Sequence, residues 1–583
     1  MRPSSPQPVA RAQDGCVVSY CPIASAIGAG VLRQGGNAMD AAVATSIALA
    51  VTFPQAGNLG GGGFLLYAPV GSSPHFLDYR ETAPAAVRPE LFLRDGVRDE
   101  ARSTYGALPV GTPGTVAGLA EALRRFGTWS WEKVVTPAIE LARHGTWLTT
   151  RQARYLELYT ETFRPFPSTA RVFMPKGHTP LPGELFAQAE LGHTLERLAA
   201  EGPGYFYEGE LARRIVRTVR EHGGVLTEDD LASYQPVWRP PLERSFLGRR
   251  VIAPSLPSGG GVVLLASLGL FEAEGFGETA LGSVERYLAY ARVMRVAFAL
   301  RGALIGDPEH LAPATLAEAR AIAERRYARG DLARLARELA DAPSPRVGNE
   351  QNTTHLCVLD PQGNAVSNTY SLNTIFGSKL VVEGGGFFLN NSLDDFSLAD
   401  GVPNWYELSD GKENRIAAGK RPVSSMCPAL FLFGEGAAPA RRGAAELVLG
   451  GSGGPRIPSL VFQIAQAALG DGLTIEDAVR LPRVHHQHRP DELVAEEAIG
   501  DVKSAALAAA VAAAHDHAIP VAARYAETPL LGIAAGLRVG GPLPPGNPRP
   551  VTPGVTPGAT PGTPPDTSPG ALSAVLDSRF MLV

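Results

Sequence analysis

The sequence predicts a mixed fold, α/β (α+β) in class, with long helical stretches and, beyond residue 353, a strand-rich part. Three observations carry that expectation. Apolar residues recur at helical spacing over 22–53 and again over much of 113–342. Beyond residue 353 the apolar period changes to two, the pattern of strands. Clusters of Gly, Pro, Asn and Asp punctuate the strand segments where turns are needed.

In chain order, residues 22–53 read as two helices joined at Gly35-Gly36-Asn37, where the Gly pair ends the first and Asn37 caps the second. Pro54 stops that second helix. Its apolar run, Ala41 to Phe53, is too short to span a bilayer and is interrupted by Thr45 and Ser46, so a buried helix is expected. The glycine run Gly60 to Gly63 then leads into a strand. Neither a Lys-Ser/Thr pair nor a helix follows it, so close backbone packing is favoured over a phosphate cradle. The next strand, Phe76 to Arg80, ends on an arginine whose planar fork suits a carboxylate. Helices dominate from 113 to 240, with Thr227 and Asp230 marking one capped start. A strand and an apolar helix occupy 250–270. Ser258 between them lacks the Gly-x-Ser-x-Gly frame of a nucleophile turn. Residues 312–342 read as one solvated helix, its arginines alternating with acids.

A polar, Pro/Ser-containing run, 342–352, separates this half from the strands that follow. The peptide bond before Thr353 is expected to be cut, making Thr353 both an N-terminal nucleophile and the carrier of its own base, the freed α-amine. Thr353–Leu359 and Ala365–Leu372 flank Asp360-Pro361-Gln362-Gly363-Asn364. Pro361 suits a type I turn and Gly363 the left-handed residue after it. That loop pairs Asp360 with Asn364, so counting back puts Thr353 opposite Ser371, on the face shared by Asn373. Further strands are expected near 379–391, 429–433 and 445–450, with helices at 457–470 and 474–480. Residues 541–571, where Thr-Pro-Gly recurs, cannot bury a core. The short apolar end, 571–583, is left either docked or loose.

Composition narrows the function classes. Hydrophobic residues at 45% and charged residues at 19% are ordinary for a globular protein, and a net charge of -5 argues against nucleic-acid binding. Cys16, Cys21, Cys357 and Cys427 are too few and scattered for a disulfide framework or a zinc site. The cluster His485-His486-Gln487-His488 lacks an acidic partner in helical register, so no metal is expected, and no cofactor. Residues 1–8 have no apolar core of the secretory kind. The protein as written is expected to be soluble and cytoplasmic, without a membrane span, unless an upstream start carries a signal.

Seven motifs occur in one order: Gly35 to Ala42, Gly60 to Gly63, Asp78-Tyr79-Arg80-Glu81, Thr353-Thr354-His355, Asn390 to Phe396, Lys420 to Met426, and Gly451-Ser452-Gly453-Gly454. Together, over roughly residues 15–500, they resemble the γ-glutamyltransferases (glutathione hydrolases), which are N-terminal-nucleophile hydrolases. The resemblance implies a four-layer αββα sandwich and a precursor that cuts itself. A large chain, 1–352, and a small chain beginning at Thr353 would stay together as a heterodimer; composition, rather than the resemblance, divides that small chain into a folded part, 353–540, and a flexible tail, 541–583. It implies cleavage of glutathione and related γ-glutamyl compounds, the acyl group passing to water or to an amino-acid acceptor. By position, Thr353 matches the nucleophile and Ser371 a hydroxyl beside it. Gly453 and Gly454 match the backbone donors to the oxyanion. Arg80, Ser424 and Ser425 match the site for the substrate α-carboxylate, and Asn373 and Asp395 that for its α-amino group. Tyr406 falls where the family carries a lid tyrosine. Ser392 stands where the family usually has Glu or Gln toward the amino group, and it lies among the expected substrate contacts. Its shorter side chain motivates the alternative, a related acylase acting on glutaryl or other acyl amides.

Overall fold

Strand periodicity decides the centre of the molecule. In the computed structural model, which describes residues 10–12, 15–339, 353–399, 401–408, 411–438, 441–496, 499–500, 506, 533–539 and 572–576, two antiparallel sheets lie face to face. The first runs Cys16–Ser19, Thr354–Leu359, Ala365–Ser371, Gly62–Ala68, His75–Tyr79, Val237–Arg239 in spatial order. The second runs Ala10–Ala12, Leu572–Leu576, Ile533–Val539, Ala445–Ser452, Ala429–Leu432, Arg249–Ala253, Leu242–Phe246. Because side chains alternate along a strand, His355 and Cys357 share the face between the sheets. There Cys357 Sγ lies 3.6 Å from the Val448 carbonyl, and Ser367 Oγ donates to that of Leu449 at 3.0 Å.

Helices cover both outer faces. Pro22–Arg33, Ala38–Thr52 and Thr115–Phe126 pack on the first sheet. Gly259–Ala273 and Arg456–Ala465 pack on the second. The layers are therefore helix, sheet, sheet, helix, the αββα sandwich. Every residue of Ala38–Thr52 is buried, which explains its uninterrupted apolar run. Its two hydroxyl-bearing breaks are satisfied inside the helix, Thr45 and Ser46 donating to the carbonyls of Ala41 and Ala42. Asn37 closes the expected N-terminus with a capping box to Asp40, and Thr227 does the same with Asp230.

The glycine run does what packing requires of it. A Cβ on Gly61 would stand 2.1 Å from the Ser371 carbonyl oxygen, so a bare backbone is what lets this strand reach the end of its neighbour.

Three expectations change. Residues 313–338 form two helices, Pro313–Glu324 and Asp331–Glu338, because Gly330 takes the left-handed conformation (φ 91°) between them. Residues 379–391 do not add a strand. They fold back on themselves through a single bridge, Val381 to Phe388, with Lys379, Gly384 and Gly386 at positive φ. Leu572–Leu576, in the expected flexible tail, forms a strand of the second sheet. The pre-cleavage run 342–352 and the Thr-Pro-Gly repeats lie outside the described residues.

Candidate active site

The turn after Thr354–Leu359 fixes the geometry of the whole site. Gly363 sits at φ 90° and its N–H reaches the Asp360 carbonyl at 2.9 Å, while Asp360 N–H bonds the Asn364 carbonyl at 3.1 Å. The ladder then pairs Leu359 with Ala365 and, at its far end, Thr354 with Tyr370. One step further, Thr353 Oγ1 donates to Ser371 Oγ at 3.3 Å. Ser371 Oγ in turn accepts the Asn373 N–H at 2.9 Å. Both hydroxyls are almost completely buried. Thr353 faces the inter-sheet side, in step with His355 two residues on. His355 bonds Thr369 Oγ1 at 2.7 Å, and burial holds its pKa down to about 3, so it is a neutral packing group rather than a base.

Opposite, the Ala445–Ser452 strand runs out into Gly453 and Gly454, at φ 134° and 54°. Both lie in the region that favours glycine. A Cβ on Gly454 would meet the Tyr406 ring at 2.8 Å. The turn therefore needs glycine for its conformation and for its contact with the residue above.

Arg80 leaves the end of the His75–Tyr79 strand and is 1% exposed. Its guanidinium pairs with Asp395, bonds Glu81 at 3.0 Å and Ser392 Oγ at 3.4 Å, and donates through Nε to the Pro422 carbonyl at 3.3 Å. Ser392 Oγ donates to Glu81 at 2.7 Å. Burial works against the Arg80 charge, yet Glu81 and Asp395 outweigh it and raise its pKa, so it stays a cation. Asp395 is pushed up to about 7, chiefly by burial and further by Asp394, while Arg80 pulls the other way.

Ser424 and Ser425 are held on a scaffold that the sequence only hinted at. Ser258 caps the helix Gly259–Ala273 and donates to the Met426 carbonyl at 2.8 Å, and Gly259 N–H bonds the Ser424 carbonyl at 2.8 Å. The faint nucleophile turn at Ser258 is thus a helix cap beneath the serine loop.

These groups close on one pocket, whose wall includes Arg80, Thr353, Ser371, Asn373, Asp395 and Gly454. Ser424, Ser425 and Tyr406 also line it. Tyr406 reaches across to donate to the Asn373 carbonyl at 2.8 Å, and Asn404 Oδ1 steadies that loop by accepting the N–H of Tyr406 at 3.0 Å and of Leu408 at 3.1 Å. Of the eleven expected site residues, nine line this wall, and Gly453 adjoins it through Gly454. Ser392 is fully buried behind Arg80, bonded to Glu81 rather than facing the cavity. Sequence reasoning passed over Glu81, although it adjoins Arg80, and Arg301, which lines the wall from the helix Val284–Leu304 without any local motif to mark it. The histidine cluster is occupied structurally. His485 bonds Ser459 and Gln487, and His486 lies 3.1 Å from Asp491, an acid supplied by the following loop. Among the described residues, no group of three His, Cys, Asp or Glu is arranged to hold a metal, and no helix is long and apolar enough to cross a membrane.

Comparison with known proteins places this arrangement. The family model described as Gamma-glutamyltranspeptidase matches residues 24–524. The chain belongs to that family. It is 38% identical over 495 residues to the glutathione hydrolase proenzyme of Escherichia coli K12, covering 84% of this chain and 83% of that one. Against the enzyme of the same name from Pseudomonas aeruginosa it is 39% identical over 487 residues, covering 82% and 84%. Among solved structures, Helicobacter pylori gamma-glutamyltranspeptidase aligns with a TM-score of 0.51 at 37% identity, covering 54% of this chain and 92% of that chain. A cephalosporin acylase from Bacillus halodurans aligns with a TM-score of 0.79 at 24% identity, over 99% and 97% of the two chains, a likeness of fold.

Proposed function

We propose that this protein is a self-processing γ-glutamyltransferase with glutathione hydrolase activity. Thr353 is the nucleophile, the cut falls between Asn352 and Thr353, and chains 1–352 and 353–583 remain associated. The observation that carries the reading is the Thr353–Ser371 hydroxyl pair, opening on a pocket in whose wall the buried guanidinium of Arg80 is paired with the carboxylate of Asp395. An Arg and an Asp side by side read a carboxylate and an ammonium, the two charges of a γ-glutamyl head. Metal-free acyl transfer then needs a nucleophile, a base and an oxyanion site, and each has a residue.

With the head on Arg80, Ser424, Ser425, Asn373 and Asp395, Thr353 Oγ1 attacks the γ-carbonyl and its proton passes to the Thr353 α-amine. Ser371 orients the hydroxyl. The backbone N–H groups of Gly453 and Gly454 take the oxyanion, a role in which one donor is worth on the order of 10²–10³ in rate. The amine product leaves with the proton, and the Thr353 ester is resolved by water or by the amino group of an acceptor. Ser392 acts at one remove, fixing Glu81 against Arg80.

Purified protein is expected to show two bands on a denaturing gel and to release p-nitroaniline from a γ-glutamyl anilide. One uncut chain that stays inactive on long incubation would refute the proposal. The lid makes a finer prediction. Tyr406→Phe removes the bond to the Asn373 carbonyl, worth about 1 kcal/mol, or roughly fivefold in lid closure. The expected result is a hydrolysed fraction several-fold higher against a dipeptide acceptor, with processing intact, read from the ratio of free glutamate to γ-glutamyl dipeptide.

A further inference from the structure

Arg80 and Asp395 satisfy one another in the wall of the pocket. Both are buried, Arg80 at 1% and Asp395 at 8% exposure, so neither charge has water to fall back on when the pair is separated. A ligand must therefore bring its own replacement for each partner it takes. On the proposed reading a zwitterionic acyl head splits this ion pair and caps both halves; we propose that acid opens the same pocket to glutaryl amides, whose head carries the carboxylate without the ammonium. The inference rests on the γ-glutamyl reading of the site and sets how strictly that reading is enforced.

The argument follows from what faces Asp395. Arg80 comes from the end of the His75–Tyr79 strand, with Glu81 next to it. Asp394 precedes Asp395 in the short turn Ser392–Asp395 and is itself paired with Arg98 of Val97–Arg98. Arg301 lines the same pocket from the helix Val284–Leu304, and the Thr353 amine joins it after the cut. Asn414 donates to the Asp395 main-chain carbonyl at 2.8 Å. Three carboxylates thus share the two guanidiniums of Arg80 and Arg98, and Asp395 is the one that opens on the cavity.

When a γ-glutamyl head arrives, its carboxylate takes Arg80 and its ammonium takes Asp395, which stays ionised. When a glutaryl head arrives, its carboxylate takes Arg80 and leaves Asp395 without its ion-pair partner, beside Glu81, Asp394 and the ligand's own negative charge, while Arg301 and the Thr353 amine line the pocket for either head alike. Asp395 then has to accept a proton. Burial already pushes it up to about 7 in the empty pocket, so that proton is within reach at ordinary pH. The two heads therefore bind with Asp395 in different states, and their exchange moves one proton. By linkage, the ratio of glutaryl to γ-glutamyl kcat/KM rises as pH falls, approaching tenfold per pH unit. The same ratio cancels any titration of the Thr353 amine, which both substrates share.

The test uses the processed enzyme and the p-nitroanilides of the two acyl groups between pH 5.5 and 7.5. The expected result is a glutaryl-to-γ-glutamyl ratio that climbs at least tenfold across that range. Asp395→Asn is expected to flatten it and to raise glutaryl turnover relative to γ-glutamyl at pH 7.5. Should that variant fail to process, the wild-type protein still decides the matter by titration calorimetry with glutarate and L-glutamate in buffers of different ionisation enthalpy. Close to one more proton taken up with glutarate supports the proposal, and equal uptake overturns it. A ratio independent of pH, with γ-glutamyl turnover intact, overturns this inference while leaving the γ-glutamyltransferase reading in place. Absence of γ-glutamyl turnover at every pH overturns both.

Discussion

Thr353→Ala is expected to leave a single 61.4 kDa chain that releases no p-nitroaniline above background. The substitution removes one hydroxyl, but that hydroxyl serves twice, first in cutting the bond before residue 353 and then in taking the acyl group. Loss of a nucleophile costs far more than loss of an orienting group, on the order of 10⁴-fold or beyond, because what remains is only positioning and the oxyanion donors. The fold is not at stake. Thr353 precedes the paired strand, and its bond to Ser371 is one neutral contact worth about 1 kcal/mol. The uncut variant should therefore melt close to the uncut wild-type precursor. Thr353→Ser keeps an oxygen at the same place and is expected to process slowly and retain part of the activity. Gel mobility, the new N-terminal sequence and anilide turnover measure these outcomes together. Full processing of Thr353→Ala would refute the assignment.

Ser371→Ala tests the neighbour more gently, and the contrast explains what the sequence made visible. Turn chemistry is local: Pro361 and Gly363 set a loop length, the loop sets a register, and the register places Ser371 against Thr353 without knowledge of any other element. Helix caps at Asn37 and Thr227 were legible for the same reason, each being decided within four residues. The Arg80 cluster was legible only as separate motifs. Arg80, Asp395 and Pro422 are brought together from distant parts of the chain, and no spacing rule links them. Ser392 shows the limit of carrying a role by position. Its short side chain turns to Glu81, and the residue that answers it was hidden in plain view beside Arg80. The break at Gly330 and the folded segment 379–391 escaped periodicity because apolar spacing does not register a left-handed residue. The apolar end stayed open between docked and loose because the five residues Leu572–Leu576 carry too little pattern to outweigh a long Pro/Gly run before them.

Arg80→Gln is expected to lower kcat/KM for a γ-glutamyl anilide by on the order of 10²–10³-fold, the second largest effect predicted for this protein. Two losses combine. The substrate carboxylate loses a charge-assisted fork that Gln cannot replace, and the wall loses the cation that Glu81 and Asp395 share. Removing one member of a buried ionic group costs about 3–5 kcal/mol, since the partners left behind must take up protons or remain unpaired. Stability should accordingly fall, and more so as pH rises, because the stranded carboxylates are tolerated only when protonated. Arg80→Lys separates the two losses. It restores a positive charge to the wall and so recovers most of the stability, but a point charge cannot serve Asp395, Glu81 and the substrate at once. Its kcat/KM is expected to stay well below wild type while its melting temperature returns toward it. Both variants should still cut before Thr353, because Arg80 contacts neither Thr353 nor Ser371 among the bonds that hold the nucleophile. A processed Arg80→Gln enzyme with wild-type kcat/KM would remove Arg80 from the substrate site and, with it, the basis for reading a zwitterion there. A large fall in kcat/KM with the cut preserved, persisting in Arg80→Lys where stability returns, is what a carboxylate reader on a rigid strand end requires.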